Sequence, residues 1–240
     1  MISFIIYFHS SRLPLLLQTL RFLEVREPVQ NYELVLACQD QTVLPPNRFG
    51  SSQLINLNCV YCKPKMCNIG VREARHENIV ILDSDRVLPH GYFSSQEIKH
   101  GEIISTYRLR NLVRPHTDEE IASMNIEYSL ELKSKTNEML QKNAFSGNTM
   151  FKKSDYVPMD ESFLGYGFAD NDCVRSHSHL QIKWTEDIEL HLYHPRETYM
   201  PEKLNEVDTM KMCVKNGLKY CKKWGLEPNT ELNKLLIPYI

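Results

Sequence analysis

An α/β fold on a mostly parallel sheet is predicted by three features of the chain. Breaker-free apolar runs recur at Ile2–Phe8, Glu33–Cys38 and Asn78–Leu82. Helix-like stretches separate them over the first ~90 residues, the alternation expected of a parallel sheet with crossovers. The third run also stops abruptly at Asp83-Ser84-Asp85, placing two carboxylates at the end of a buried strand.

Ile2–Phe8 is β-branched and aromatic throughout, so it reads as a strand buried on both faces. Ser10 or Ser11 can cap a helix running from Arg12 to about Val25, with Pro14 in its first turn. Glu33–Cys38 is a second strand, ending at Gln39-Asp40, and Leu54–Tyr61 is read as a third. Cys67–His76 has helical character ahead of the 78–82 strand. Residues 100–118 carry Arg108, Arg110, Arg114 and His116 and read as a strand plus a mobile loop. That stretch suits a lid or an acceptor surface, or a solvated basic loop. Asp118–Gln141 has apolar spacing suited to a helix, and Phe145–Phe151 suits a strand. Gly165-Tyr166-Gly167 marks a tight turn, with a helix expected at Ala169–Leu180 and a strand at Ile182–Tyr193. A last helix is expected from about Glu202 to Trp224.

The 240 residues can bury a substantial core without staples. Lys+Arg is 28 and Asp+Glu is 30, a net charge of −2, which gives no electrostatic case for nucleic acid. The seven cysteines, with no basic leader before the first apolar run, fit a reduced cytoplasmic setting. Cys59, Cys62 and Cys67 have zinc-like spacing, but no second close pair completes four ligands. No window reaches the ~20 apolar residues of a membrane span, which leaves peripheral membrane contact open.

Ligands of open α/β sheets bind beyond the carboxyl ends of the strands, where Asp83 and Asp85 fall. Paired carboxylates suit hard divalent cations such as Mg²⁺ and Mn²⁺. A plain Asx-turn closing the strand is the competing explanation.

More of the sequence bears on that choice. KMCNIGVREARHENIVIL leads into Asp-Ser-Asp; FSGNTMF, GYGFADND and LHLYHP follow downstream. In this order the chain resembles the nucleotide-sugar glycosyltransferases of the GT-A fold. It is most similar to the β-1,4-galactosyltransferase, chondroitin-polymerase and polypeptide N-acetylgalactosaminyltransferase groups. The resemblance covers about residues 1–197. It implies one domain: a Rossmann-like nucleotide-binding half with a mixed central sheet (1–90), an acceptor and metal half (91–200) and a helical tail (201–240).

By position, the resemblance implies that Phe8, His9, Ser10 and Arg12 contact the uracil or the phosphates. Asp40 would hold base or ribose, and Asn68 and Arg72 would lie along the nucleotide. Asp83 and Ser84 would bind the nucleotide-sugar, Asp83 also assisting the metal that Asp85 and His194 ligate. His191 competes with His194, although on a strand the two would face opposite sides. Gly147 would admit the donor sugar and Asn148 would bond it. Asp170 would be the catalytic base, or else an N-cap carboxylate. Tyr166, Gly167 and Asp172 would serve the acceptor. Two departures stand out: Ala169 replaces the family's acceptor-gripping Glu, and Asn171 replaces an Asp.

The implied activity is a Mn²⁺- or Mg²⁺-dependent, inverting transfer from a UDP-sugar to a hydroxyl of a glycan, lipid-linked sugar or peptide. The alternatives are a nucleotidyltransferase, disfavoured because HSSRLP lacks a Gly-rich phosphate loop, and a binding module whose metal site has decayed. Without an anchor or stem, a bacterial or viral cytoplasmic enzyme is expected rather than an animal Golgi one.

Overall fold

The computed structural model describes residues 1–59, 61–124, 132–136, 147–165, 167–194 and 206–228. Its strands are β1 (Ile2–Phe8), β2 (Glu33–Cys38), β3 (Ser51–Asn56), β4 (Asn78–Asp83), β5 (Arg86–Val87), β6 (Glu102–Leu112), β7 (Leu132–Thr136), β8 (Asn148–Lys152) and β9 (Gln181–His191). Its helices are α1 (Leu13–Arg26), α2 (Lys63–Glu73), α3 (Asp118–Ser123), α4 (Ala169–Ser176) and α5 (Glu206–Trp224).

Among the described residues all nine strands join one sheet, in the order β3-β2-β1-β4-β8-β6-β9-β5, with β7 added beside β6. The first four are parallel. β8 runs antiparallel to β4, making the sheet mixed. From β1 the chain adds β2 and then β3 on one side, and crosses back to place β4 on the other side of β1. A crevice therefore opens at the carboxyl ends of β1 and β4, the switch point where such sheets take ligands.

β1 is apolar at almost every position because both of its faces are covered. Phe4, Ile6 and Phe8 pack toward Leu16 and Leu20 of α1, while Ile5 and Tyr7 pack toward Met66, Cys67 and Val71 of α2. Burying each such side chain contributes roughly 1.5–3 kcal/mol, so this strand is the core's axis. Gly70 lets α2 press close: a Cβ there would lie 2.4 Å from Ile5 Cγ2.

Several boundaries differ from the sequence reading. β3 lies at 51–56, three residues ahead of the expected start. α2 begins at Lys63 instead of Cys67, with Pro64 in its first turn. The expected 118–141 helix is overturned within the described residues. α3 is a six-residue helix closed by a Thr117–Glu120 capping box, and Met124 leaves it with extended backbone. Residues 132–136 then form β7, pairing Leu132 with Leu112 and Thr136 with Arg108. The ladder offered by the long β6 overrides weak helical spacing, as tertiary context commonly does. The stretch after β6 is anchored to α1 as well: Gln18 Nε2 donates to the His116 carbonyl (3.1 Å) and Asp118 (2.7 Å), and Arg21 pairs with Asp118 at 2.5 Å. Helix α4 stops at Ser176, and the start expected for the last helix, near Glu202, falls outside the described residues.

Candidate active site

The carboxyl ends of β1 and β4 place Tyr7, Phe8, His9, Arg12, Asp83, Ser84 and Asp85 around one open pocket, with Tyr61 from the segment before α2. After β1 the chain turns through Ser10–Arg12 as a single 3-10 turn, which the His9 side chain caps by accepting from Ser11 N. Asp40, at the end of β2, fastens this turn. It accepts from Ser10 N (2.9 Å) and Ser10 Oγ and lies 3.2 Å from His9 Nε2. Burial opposes ionisation of Asp40, but the Ser10 and Cys38 hydrogen bonds hold its carboxyl below the ordinary range. The pocket-lining end of β1 is therefore preset by a carboxylate from β2.

Three donor atoms converge beside it. Asp85 Oδ2 lies 3.4 Å from His191 Nε2 and 3.3 Å from His194 Nε2, and the two imidazole nitrogens are 3.1 Å apart. Backbone pairing brings them together: Arg86 sits opposite His191 in the β5–β9 ladder, and Leu192 N donates to the Asp85 carbonyl at 2.9 Å. The expectation that His191 and His194 face opposite sides is overturned, because β9 ends at His191 and the period-two rule lapses beyond it. Among the described residues these three form a group able to hold a metal ion. The fit is good: bonds of about 2.1 Å around one centre put neighbouring donors about 3 Å apart, and a carboxylate with two imidazoles suits a borderline divalent ion. His191 Nδ1 lies 2.8 Å from Asn111 Oδ1. The Asn111 side-chain amide thus holds the imidazole through Nδ1, the kind of outer contact that orients a metal-binding histidine. Burial, reinforced by Arg86, lowers the His191 pKa against the opposing pull of Asp85. Burial alone would raise the Asp85 pKa, yet His191, His194 and Arg86 hold it well below the usual carboxylate range.

Two arginines flank the same carboxylate. Arg12 NH1 is 2.5 Å from Asp85 Oδ2, and Arg86 Nε is 3.2 Å from Oδ1. Arg86 also reaches Asp83 (3.2 Å) and the buried Glu189 (3.3 Å). Asp83 stands outside the three converging donors. It accepts from Tyr7 Oη, from Gly147 N (3.1 Å) and from Arg86, so its carboxylate ties β4 to β1 and to the start of β8. Ser84 is buried and its carbonyl accepts from Thr19 at 3.1 Å.

Asp170 opens α4, following Gly167 and Phe168, whose left-handed backbone (φ 66°) is a strained choice for a bulky residue. Its Oδ1 lies 2.6 Å from Lys63 Nζ, which is also 3.7 Å from Asp83 and sits over the Tyr7 ring. Burial raises the Asp170 pKa while Lys63 works to lower it. Lys63 thus links Asp83, at the end of β4, to Asp170 in the first turn of α4.

Other expected residues have different employment. Asn68 has its four hydrogen-bonding positions filled by Met159 N and O, Tyr156 Oη and Glu161, so it fastens the 156–161 loop to α2. Arg72 is exposed and pairs with its neighbour Glu73. Asn148 is fully buried against Thr106, Glu189 and Tyr92. Gly147 has φ +101°, and a Cβ there would meet Glu189 Oε1 at 2.3 Å, so its glycine answers a backbone demand. Asp172 is buried beneath Lys223 (2.8 Å) and Trp224 Nε1 (2.7 Å), which makes it a clasp between α4 and α5 and leaves it unavailable to an acceptor. Ala169 packs into the apolar clusters beside it. Tyr166 lies outside the described residues.

Lys63, Arg86, Tyr7 and Tyr61 escaped the sequence reading. Lys63-Pro64 carried a usable signal, since proline favours the first turn of a helix. Arg86 directly follows Asp85, but nothing local says that it folds back on both carboxylates.

No family model and no curated protein matches the chain. Solved structures do. S. aureus TarS 1-349 in complex with UDP-GlcNAc matches with a TM-score of 0.59 at 10% identity, over 92% of this chain and 66% of that one. The catalytic domain of Drosophila beta1,4galactosyltransferase 7 in complex with xylobiose matches with a TM-score of 0.53 at 14% identity, over 88% of this chain and 78% of that one. A mutant of the same Drosophila protein, with manganese, UDP-Gal and xylobiose, matches with a TM-score of 0.51 at 14% identity, over 87% of this chain and 78% of that one. The chain has the GT-A glycosyltransferase fold. Within this GT-A scaffold, the pocket and the Asp85 cluster lie at the carboxyl ends of the parallel strands. Among the described residues no helix is long and apolar enough to cross a membrane.

Proposed function

We propose that the chain is a metal-dependent glycosyltransferase, moving a hexose or N-acetylhexosamine from a UDP-sugar to a hydroxyl acceptor with inversion. The observation that carries this is the convergence of Asp85, His191 and His194 at the mouth of a GT-A pocket. The relatives' complexes with UDP-GlcNAc, and with manganese and UDP-Gal, support the donor class and the ion. The acceptor is a sugar, lipid-linked or peptide hydroxyl; the xylobiose complex favours a saccharide.

In this reading the half-buried Tyr61 and the pocket-lining end of β1 receive the base and ribose, with His9 and Ser10 held in place by Asp40. Asp85, His191 and His194 hold Mn²⁺ or Mg²⁺, which supplies Lewis-acid stabilisation of the departing diphosphate. Asp170 accepts the proton of the attacking hydroxyl. Its raised pKa strengthens it as a base, while Lys63 favours the ionised form and fixes the carboxylate's direction. Attack assisted by one base, with no second nucleophile, inverts the anomeric carbon. Arg12 reaches the pocket from the turn after β1 and offers a guanidinium fork to the phosphates.

The test is release of UDP from a panel of UDP- and GDP-sugars with Mn²⁺, for the wild type and for Asp85→Ala. Metal-dependent release that the variant loses is expected. Silence across the panel, with binding of ATP or CTP instead, would overturn the reading in favour of nucleotidyl transfer.

A further inference from the structure

We infer, building on the glycosyl-transfer reading, that Arg12 is a resident cation of the Asp85–His191–His194 cluster, yielding the site to a divalent metal when a nucleoside diphosphate draws its guanidinium away. Metal and nucleotide then bind as a coupled pair, and the metal alone binds weakly.

The contacts make the competition specific. Arg12 NH1 lies 2.5 Å from Asp85 Oδ2, the same oxygen that faces both histidines. Arg12 NH2 lies 3.3 Å from Nδ1 and 3.4 Å from Nε2 of His194. The guanidinium thus contacts two of the three donor residues. The Arg12 and Asp85 side chains are only 7% and 3% exposed, so water does little to screen a second cation placed beside the first. A divalent ion seated on Asp85 Oδ2 would meet this charge directly.

The guanidinium also has somewhere to go. Arg12 lines the open pocket together with Tyr7, Phe8 and His9. A planar fork that grips one carboxylate oxygen is equally matched to phosphate oxygens. Its departure would not leave Asp85 adrift, because Arg86 remains 3.2 Å from Oδ1. One carboxylate carries two arginines: Arg86 is shared with Asp83 and Glu189, whereas Arg12 enters from the pocket side. The division of labour follows from that placement.

The experiment is calorimetric titration of Mn²⁺ into the full chain, wild type and Arg12→Gln, with and without saturating UDP. Without UDP, Arg12→Gln is expected to bind Mn²⁺ at least tenfold more tightly than the wild type. The enhancement that UDP gives should be larger in the wild type than in the variant. Arg12→Lys, which keeps a cation but cannot span Asp85 and His194 together, should tighten Mn²⁺ binding partway and serves if the Gln variant does not fold. Wild-type uptake of Mn²⁺ with UDP, with no tightening in either variant, would overturn the coupling alone. Absence of Mn²⁺ uptake in every protein even with UDP would overturn the donor-and-metal reading, and the coupling with it.

Discussion

Asp85→Asn should destabilise the metal-free protein. A carboxylate that served only as a metal ligand would have the opposite effect, since removing it relieves a site awaiting charge. Here Asp85 is 3% exposed and lies between Arg12 and Arg86, both 7% exposed. Taking one partner out of a buried ion pair costs about 3–5 kcal/mol, because the remaining charge is uncompensated. Arg86 keeps Asp83 and Glu189, so the burden falls on Arg12 and the lower end, about 3 kcal/mol, is expected. For a chain of this size each kcal/mol shifts Tm by roughly 2–4 °C, giving a drop of about 6–12 °C. The assay is urea and thermal unfolding in EDTA, comparing the wild type with Asp85→Asn at neutral pH. Unchanged or increased stability would refute the reasoning and mean that the Arg12 pair adds nothing to the folded state. The pH dependence follows the same logic. The folded pKa of Asp85 is depressed, so its contribution is complete above the unfolded carboxylate value of about 4 and disappears as pH falls through the folded value.

Asp170→Asn should lower kcat by roughly 10²–10⁴-fold with little change in UDP affinity. In the wild type, burial raises the Asp170 pKa, so the acid limb of kcat/KM should lie above the ordinary carboxylate value of about 4, activity being lost as pH falls through it; a limb at or below that value would argue against Asp170 as the base. Asn111→Leu removes the partner of His191 Nδ1 and should weaken Mn²⁺ binding about 10–100-fold, read by titration, while the fold persists by circular dichroism. Asn68→Ala cuts the ties to the 156–161 loop and should cost about 2–3 kcal/mol in urea unfolding while leaving UDP affinity nearly unchanged; a selective loss of UDP binding would restore Asn68 to the nucleotide.

The parallel half of the fold was legible because burial on both faces leaves a simple mark. β1, β2 and β4 are apolar at nearly every position, and their ends coincide with the polar residues that form the pocket. Asp85 and His194 were legible from their place in a recurring order of motifs. His191 was discounted because strand periodicity was carried past the strand's last residue. β7 was missed because its hydrogen bonds come from β6, some twenty residues earlier, and leave little trace in its own spacing. Asn68, Asn148 and Asp172 show the opposite limit: each matches a motif position, yet each is bonded within the protein. Residue type and order reveal which groups are polar, whereas only packing reveals which of them still face a ligand.

The short ladder between β5 and β9 sets a condition on assembly. Asp85 and the two histidines are about a hundred residues apart in the chain, and they meet through the pairing of Arg86 with His191 and the bond from Leu192 N to the Asp85 carbonyl. β9 reaches that position only by docking along β6, which itself must pair with β8. The donor triad therefore depends on long-range strand pairing and has no local precursor. Nascent or truncated chains ending before residue 181 would carry Asp85 with neither histidine. The three donors would then meet only in a chain whose β9 has docked along β6.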